Sequence, residues 1–279
     1  VMEATGNYHA PVAKLLHDAG LYVSVVNAKL VHGYGNNDLR RVKTDRKDAV
    51  KLANYGLDRW LTLPRYVPEE NTRLLLKNCY RQYRQYSKVQ TVLKNNLISL
   101  LDMTFPNANR LFVSPARADG SEKWVDFVAE FWHCECVSER SLKSFVNKYW
   151  RWCRKHGYNF SEEKAHAIYD EASGHIGVMP KSETTKLLVE QAVSQLSATS
   201  AALAALKQEM QSLSSQLPEY PVVMGMFGVG PILGPQLIAE IGDVRRFYSK
   251  KALVAYAGID APPNDSGDVI GRHKSMSKV

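Results

Sequence analysis

Two stretches of the chain repeat apolar residues every seven positions, and this spacing limits the possible folds more than any other feature. The first run lies within residues 69–101 and has two seams, formed by Leu76, Tyr83, Gln90 and Leu97 and by Cys79, Tyr86, Leu93 and Leu100. The second run has seams formed by Val189, Leu196, Leu203, Met210 and Leu217 and by Ala192, Thr199, Leu206 and Leu213. This a/d spacing is typical of long helices that pack along each other. It predicts either an antiparallel coiled-coil arm or a dimer seam.

An aromatic-rich insert, residues 102–183, separates the two runs. Its large rings are Trp124, Phe127, Phe131, Trp132, Phe145, Tyr149, Trp150 and Trp152. We interpret it as a compact helical subdomain of an arm that covers residues 65–217. Pro218 and Pro221 end the second run, because proline cannot continue a helix. Residues 218–279 are therefore predicted to be a separate C-terminal domain.

The N-terminal part of the chain begins with a helical pattern over residues 9–19. Four apolar side chains share one face of this helix: Val12, Leu15, Leu16 and Ala19. Gly20 is expected to end the helix, because glycine adopts the left-handed conformation that follows many helix ends.

A strand and a second helix are expected next. The apolar run of residues 21–26 is typical of a buried strand. Thr44 is a suitable N-cap for a helix that reaches about Leu57. Alternating strands and helices indicate a parallel or mixed sheet, so residues 1–62 are predicted to form an α/β domain.

The charge balance favours a partner that carries phosphate. The 279 residues have a formal net charge of +8, and positive charge attracts nucleic-acid backbones, although many basic proteins bind none. No run of 18 or more apolar residues and no signal-peptide pattern are present, so we expect a cytoplasmic protein without a membrane partner. Four cysteines are then expected to be reduced thiols or metal ligands.

Three carboxylates are candidates for a metal site. Glu3 lies at the end of a predicted strand, and Asp45 and Asp48 share one face in the first turn of a predicted helix. Mg²⁺ prefers oxygen ligands, and two-metal phosphoryl transfer uses clustered carboxylates. The alternative is that these acids only cap the helix and offset its dipole.

A glycine turn is a candidate phosphate site. Gly228 and Gly230 precede a helix predicted to start near Pro231, and exposed backbone N–H groups in such a turn bind phosphate. The pattern resembles a helix-hairpin-helix module that binds the DNA backbone. The cations Arg245, Arg246 and Lys250 follow it and favour the same interpretation. The alternative is an ordinary glycine-rich helix start.

Ser266 is a candidate nucleophile near the end of the sequence. The cations Arg272, Lys274 and Lys278 follow it, and a serine nucleophile needs a nearby base or cation to stabilise developing charge. The pair Ser266-Gly267 is, by itself, more typical of a turn.

Two further groups leave more than one interpretation open. Cys134, Cys136, Cys153 and His156 are either zinc ligands or core side chains. A run of cations on the first long helix, with Tyr80, Tyr83 and Tyr86 between them, either binds and stacks on nucleic acid or is a solvated face. These cations, with one that precedes the helix, are Arg65, Arg73, Lys77, Arg81, Arg84, Lys88 and Lys94.

Taken in order, six motifs resemble those of the DEDD-type insertion-sequence transposases with a catalytic serine, which include the Piv-like DNA invertases and the bridge-RNA-guided recombinases. The matching segments are residues 3–8, residues 43–49, residues 228–230, residues 256–259, residues 266–267 and residues 275–278. They extend over nearly the whole chain. Only the insert lacks a motif.

The resemblance implies a resolvase-like RNase H fold without its first strands, followed by the arm and a C-terminal helical domain. It implies that Glu3, Asp45 and Asp48 are the second, third and fourth acids of a Mg²⁺ site, and that Ser266 attacks a DNA phosphate. It also implies a structured guide RNA, dimers that join into tetramers, and a nucleoid-associated protein of bacteria or archaea.

The first acid of the family pattern has no counterpart here, and both ends of the sequence look cut. We therefore expect this chain to be a fragment with a weak metal site and little activity. Two other functions remain open at this point. One is a metal-dependent junction nuclease that uses water as its nucleophile, and the other is a nucleic-acid-binding protein without catalysis.

Overall fold

The computed structural model of the protein describes residues 1–34 and 44–260. They form two compact units, one comprising Val1–Glu70 and the other beginning at Asn71. Each unit buries its own apolar side chains, so each is described by itself. None of the helices in the described ranges has the length and apolar character needed to cross a membrane.

The first unit contains a small parallel sheet. Strand β1 (Met2–Ala4) pairs with strand β2 (Val25–Asn27), and Glu3 lies opposite Val26. Helix α1 (His9–Asp18) connects the two strands, as parallel neighbours require a crossover connection. The parallel pairing agrees with the predicted α/β pattern.

Helix α1 ends where the sequence predicted, but its apolar face is not buried. Gly20 has a φ of +80° and donates its N–H to the carbonyl of His17, which closes the helix end. Ala13 is fully buried, whereas Val12 and Leu15 are 49% and 69% exposed. The predicted strand is also shorter than expected: it starts at Val25 and not at residue 21.

Two helices cover one side of this sheet. Helix α2 (Ala28–Gly33) was not predicted, and helix α3 (Asp45–Arg59) confirms the helix expected after Thr44. The Thr44 hydroxyl accepts a hydrogen bond of 3.3 Å from the Lys47 N–H, which is the predicted N-cap. Leu52 and Tyr55 of α3 pack against a buried cluster of three side chains, formed by Val26, Val31 and Leu63.

The second unit is built on two long helices, α4 (Asn71–Thr104) and α9 (Glu183–Ser215). They run in opposite directions, because Leu76 near the start of α4 clusters with Met210, whereas Leu97 near its end clusters with Val189. Leu76 and Leu97 of the first run and Val189, Leu196 and Met210 of the second lie in the buried clusters between the two helices. Gln90, the polar member of the first run, donates a hydrogen bond of 2.8 Å to the Ser200 hydroxyl.

The insert contains a 3-10 turn at Ala108–Arg110 and four α-helices packed around aromatic rings. These helices are α5 (Lys123–Glu130), α6 (Glu135–Ser138), α7 (Leu142–His156) and α8 (Glu162–Gly174). Phe127 is fully buried and its ring contacts those of Phe131, Tyr149 and Trp152. The same core includes Leu97 and other residues of the long helices, so the insert and the adjacent half of the arm share one core. Trp150 is the exception among the predicted aromatic residues, since it is 43% exposed.

Three short helices follow α9. They are α10 (Tyr220–Met224), α11 (Leu233–Ile241) and α12 (Lys250–Tyr256), with a 3-10 turn at Val244–Arg246. Ile238 and Ala239 of α11 join Leu76 and Met210 in one buried cluster. The C-terminal segment is therefore packed against the end of the arm where α4 begins and α9 ends.

Candidate functional site

Glu3 is held on the strand that the sequence predicted. Its side chain is partly buried, and the Thr5 hydroxyl donates to one of its oxygens at 3.4 Å. Side chains of directly paired residues project from the same face of a sheet. Since the Val26 side chain packs in the cluster that α3 covers, Glu3 projects toward that side of the sheet as well.

A second contact supports this orientation of Glu3. A Cβ atom added to Gly56 of α3 would lie 2.9 Å from the Val1 Cγ2 atom, so Val1 packs directly on that helix. Val1 and Glu3 are two residues apart and share a face of the strand. Both observations place the Glu3 carboxylate on the side of the sheet where α3 lies.

Asp45 and Asp48 lie in the first turn of α3, and both are exposed. Asp48 precedes Leu52 by four residues and Tyr55 by seven, so it lies on the helix face that packs on the core. Asp45 precedes Asp48 by three residues and continues that face toward the helix N-terminus. The helix thus presents both acids from the face that it turns toward the sheet.

No preformed metal centre accompanies these positions. Within residues 1–34 and 44–260, no three or more His, Cys, Asp and Glu side chains form a group able to hold a metal ion. The donor chemistry of Glu3, Asp45 and Asp48 suits Mg²⁺, but their arrangement is not that of a closed carboxylate cluster. The same finding applies to the four predicted zinc ligands, all of which lie in the described ranges.

The cysteine and histidine side chains of the insert have structural contacts. Cys134 and Cys153 are buried in the aromatic core, and burial raises the pKa of the Cys153 thiol. His156 stacks on Trp152, with the ring centroids 5.1 Å apart. Burial also raises the pKa of the Cys136 thiol. These contacts favour the interpretation as core side chains.

The glycine turn between α10 and α11 is open. Gly228 has a φ of +80°, which favours glycine. Apart from the adjacent residues in the chain, no described heavy atom lies within 4 Å of a Cβ atom built at Gly228 or Gly230. The preceding side chain, Phe227, is fully exposed. Backbone N–H groups in such an open turn are accessible to a large anion.

Gly234 has a different role from the two glycines of the turn. A Cβ atom at this position would lie 2.4 Å from the Met224 Sδ atom. Its missing side chain therefore allows α11 to approach α10 closely. The close approach fixes the two helices on either side of the open turn.

The cations that follow α11 are held by neighbouring side chains. Arg245 binds the Asp243 carboxylate in a bidentate manner, with Nε–Oδ1 at 2.9 Å and Nη2–Oδ2 at 2.8 Å, and this lowers the pKa of Asp243 to about 2. The Arg246 guanidinium lies 4.6 Å from the ring centres of both Phe247 and Tyr256. Lys250 is exposed at the start of α12. The sequence prediction missed Asp243, although its spacing of two residues from Arg245 was visible.

Arg73 has a structural position that the sequence did not predict. The sequence places it in a run of cations expected to face solvent or nucleic acid, yet its side chain is only 6% exposed. Its guanidinium binds both carboxylate oxygens of Glu219, and Nη1 also donates to the Gly242 carbonyl at 3.4 Å. Hydrogen bonds from Arg73 lower the pKa of Glu219. Arg73 therefore joins the start of α4 to both ends of the α10–α11 segment.

The remaining part of the predicted basic face is a mixed surface. Tyr80 and Tyr83 pack against the cluster at the base of the arm, which favours a structural role over base stacking. Lys94 binds Glu122 at 2.9 Å and lies over the Trp124 ring. The serine loop and its cations, namely Ser266, Arg272, Lys274 and Lys278, lie outside the described residues.

Comparison with known families gives matches at both ends of the chain. Residues 1–106 match the DEDD transposase model of the IS110 type, and residues 220–279 match the model described as transposase of the IS116/IS110/IS902 family. The chain carries two IS110-family transposase domains. They contain all three candidate carboxylates, the glycine turn and Ser266, so the coarse family prediction is confirmed. Residues 107–219, with the insert and α9, lie between the matched segments.

Curated relatives are consistent with these domains. The chain is similar to the pilin gene-inverting proteins of Moraxella bovis and Moraxella lacunata, each at 27% identity over 133 residues. The aligned segment covers 48% of this chain and 38% of each relative. The similarity to these relatives agrees with the transposase domains matched at the two ends of the chain.

Proposed function

We propose that this chain cuts and rejoins DNA as a transposase or site-specific recombinase. The observation that carries the proposal is the presence of both transposase domains in order, at residues 1–106 and 220–279. The inversion of a pilin gene, named for the Moraxella relatives, is a DNA rearrangement of this kind. The basic net charge of +8 supports a nucleic-acid substrate.

Ser266 is the proposed nucleophile. Its Oγ atom attacks a DNA phosphorus atom, a serine–phosphate ester forms, and the bond from phosphorus to one deoxyribose oxygen breaks. The serine proton passes to a base, and the departing oxygen leaves as a hydroxyl. Attack of a new DNA hydroxyl on the serine–phosphate ester restores the serine and joins the strands. Each step exchanges one phosphate ester bond for another, so the reaction needs no external energy source.

Glu3, Asp45 and Asp48 are the proposed Mg²⁺ ligands, as members of a resolvase-like RNase H fold. Mg²⁺ in proteins is often held by one or two carboxylates together with phosphate oxygens of the substrate. Such a site needs the DNA to be completed, which is compatible with carboxylates that share a side of the sheet without forming a closed group. When bound, the ion would neutralise charge on the phosphate.

The glycine turn and its neighbours are proposed to hold the DNA backbone. Gly228 and Gly230 offer accessible N–H groups in a helix-hairpin-helix-like arrangement, and Lys250 adds an exposed cation. Arg245 and Arg246 would contribute from the adjoining turn. We further propose, from the family resemblance, a structured guide RNA as partner and a homodimer that forms a tetramer.

The proposed function is tested by detecting a covalent adduct between the protein and DNA. The purified chain is mixed with supercoiled DNA carrying the sequences that flank its gene, with Mg²⁺, and protein-linked DNA is measured after denaturation. Because the first acid of the family pattern has no counterpart here, we expect a low yield of adduct. Ser266→Ala should abolish it, and Ser215→Ala, in the last residue of α9, should leave it unchanged. Cleaved DNA without an adduct would instead identify a metal-dependent nuclease that uses water.

The carboxylates need a separate test. Asp45→Asn and Asp48→Asn are expected to reduce adduct formation and to weaken its dependence on Mg²⁺, since an amide is a poorer ligand than a carboxylate. Asp58→Asn, at the other end of the same helix, is the matched control. Unchanged adduct formation in the first two variants would restrict these acids to capping α3.

A further inference from the structure

Helix α7 in the insert has a strongly basic solvent face. It contains Lys143, Lys148, Arg151, Arg154 and Lys155 and has no acidic residue between Leu142 and His156. Residues 145, 149, 152 and 153 are its buried side chains, so at 100° per residue Lys143, Arg151 and Arg154 lie on the opposite side, and Lys148 and Lys155 lie at the edge. The last three residues also suit the helix dipole, but Lys143, Lys148 and Arg151 lie too far from the C-terminus for that effect alone.

A groove runs along this face. It has a volume of about 490 Å³, and its charged lining residues are Glu130, Arg140, Lys148, Arg151 and Lys155. Glu130 is paired with Lys148 at 3.3 Å. Among the described residues, no carboxylate forms an ion pair with Arg140, Arg151 or Lys155, so the groove keeps a net positive charge. Ser144 and Asn147 add neutral hydrogen-bonding groups.

An exposed aromatic ring, that of Trp150, lies on the same helix, next to Arg154 of the basic face; it precedes Arg151 by one residue and does not itself line the groove. Trp150 is 43% exposed, although most other large rings of the insert are buried. The Arg154 guanidinium lies 5.4 Å from the centre of the Trp150 ring. Exposed tryptophan beside arginine and a cationic groove is the combination with which proteins hold single strands, because bases stack on the ring while phosphates follow the cations.

We propose that the α7 face binds a single-stranded segment of nucleic acid. Phosphates lie along Arg151, Lys155 and Arg140, and an unpaired base stacks on Trp150. A duplex fits less well, because its bases are not available for stacking. The surface lies outside both matched transposase segments. It also does not depend on strand cutting by Ser266, so its failure and that of the proposed function are distinguishable.

The test is binding of labelled oligonucleotides to the full chain, followed by fluorescence anisotropy. Single-stranded DNA, single-stranded RNA and duplex DNA, each long enough for a site of about 16 nucleotides, are compared. The triple variant Arg140→Gln, Arg151→Gln, Lys155→Gln removes three exposed cations. Its matched control, Lys29→Gln, Arg110→Gln, Lys207→Gln, removes the same charge from exposed residues on three other elements.

We expect the α7 variant to bind single strands at least tenfold more weakly than the control and to retain its duplex affinity. The slope of log affinity against log salt should become shallower by about 2, given roughly 0.7 per phosphate contact on a single strand. Trp150→Ala should weaken single-strand binding about tenfold, and Trp60→Ala, which removes another exposed tryptophan, should not.

The two single-stranded probes identify the source of the strand. Tighter binding of RNA would assign the groove to an RNA partner, and equal or tighter binding of DNA would assign it to an opened DNA strand. Equal single-strand affinities for the α7 variant and its control would overturn the proposal. Parallel loss of duplex and single-strand binding, with no effect of Trp150→Ala, would also overturn it. Circular dichroism checks that each variant is folded.

Discussion

Arg73 and Glu219 form a bidentate ion pair between residues 146 positions apart in the chain. The pair lies where the first turn of α4 meets the segment leading into α10, and Arg73 also binds the carbonyl of Gly242 after α11. Both ends of the α10–α11 segment are thus tied to one guanidinium. This contact holds α10 and α11 on the arm together with the apolar cluster that contains Ile238, Leu76 and Met210.

Removing one member of the pair should destabilise the protein strongly. Arg73→Ala leaves the partly buried Glu219 carboxylate without its partner, and breaking such a pair costs about 3 kcal/mol or more. Urea unfolding followed by circular dichroism measures the change. Arg81→Ala, an exposed arginine two turns further along α4, is the control and should stay within about 0.5 kcal/mol of the parent protein. Equal effects of the two substitutions would contradict a role in fixing the domain.

The same pair should make stability depend on pH in the acid range. Hydrogen bonds from Arg73 lower the pKa of Glu219 below 4.5 in the folded protein. The stabilisation is therefore present above the unfolded pKa and is lost as the pH falls through the folded pKa. Between about pH 5 and pH 3, the parent protein should lose more stability than Glu219→Gln, which has no carboxyl group to protonate. An equal loss of stability in both proteins would show that Glu219 does not contribute to the pH dependence.

The hydrogen bond between Gln90 and Ser200 in the arm predicts that substitutions at these two positions have non-additive effects on stability. Gln90→Leu alone leaves the Ser200 hydroxyl buried without its side-chain partner, at a cost of about 1 kcal/mol. Adding Ser200→Ala should recover most of this loss, because two apolar side chains then meet in the seam. Thermal unfolding of the single and double variants measures the coupling. If the stability loss of the double variant equals the sum of the losses of the two single variants, the hydrogen bond makes no specific contribution to stability.

The aromatic core predicts that the insert and the arm unfold together. Phe127→Ala removes a fully buried ring, and such changes cost about 3–5 kcal/mol. Because Leu97 and Val189 of the long helices belong to the same core, hydrogen exchange should speed up in the neighbouring half of α4 and α9 as well. Trp60→Ala, at a 67% exposed position, should leave exchange unchanged. Faster exchange confined to residues 123–174 would indicate an independent insert.

The glycine turn predicts that a substitution at Gly230 weakens DNA binding without lowering the stability of the protein. A Cβ atom at Gly230 meets no described atom within 4 Å and the φ is not positive, so Gly230→Ala should fold normally. It should nonetheless weaken duplex DNA binding, because the added methyl group would stand between the backbone and a phosphate. Gly33→Ala, equally open, is the control for binding. Gly228→Ala should cost about 1 kcal/mol in stability, because its φ is +80°.

Local patterns predicted much of the secondary structure. The seven-residue spacing located α4 and α9, Thr44 marked the start of α3, and Gly20 marked the end of α1. These predictions succeed because helix periodicity, caps and left-handed glycines depend on neighbours within a few residues. The short strand β2 and the helices α2 and α10 were missed or misplaced, since elements of three to six residues carry too little pattern to be recognised.

The sequence proposed the residues of the candidate site, and their arrangement required the structure. The order of the carboxylates, the glycine turn and Ser266 along the sequence indicated a transposase. Whether Glu3 faces α3, and whether the acids meet, depends on how the strand packs on the helix. The sequence also could not predict which acid pairs with Arg73, because Glu219 is distant in sequence and the chain contains several other acids.

By itself, the sequence determined which family of proteins this chain resembles, because ordered motifs and helix periodicities are properties of the linear chain. Only the tertiary structure decided which polar groups are buried and paired. Arg73 illustrates the difference: in the sequence it is one cation among many on a helix, and in the fold it is a buried link between the arm and the C-terminal domain. The physical reason is that burial and pairing arise when distant segments pack together, and each side chain then meets partners that its neighbours in sequence do not specify.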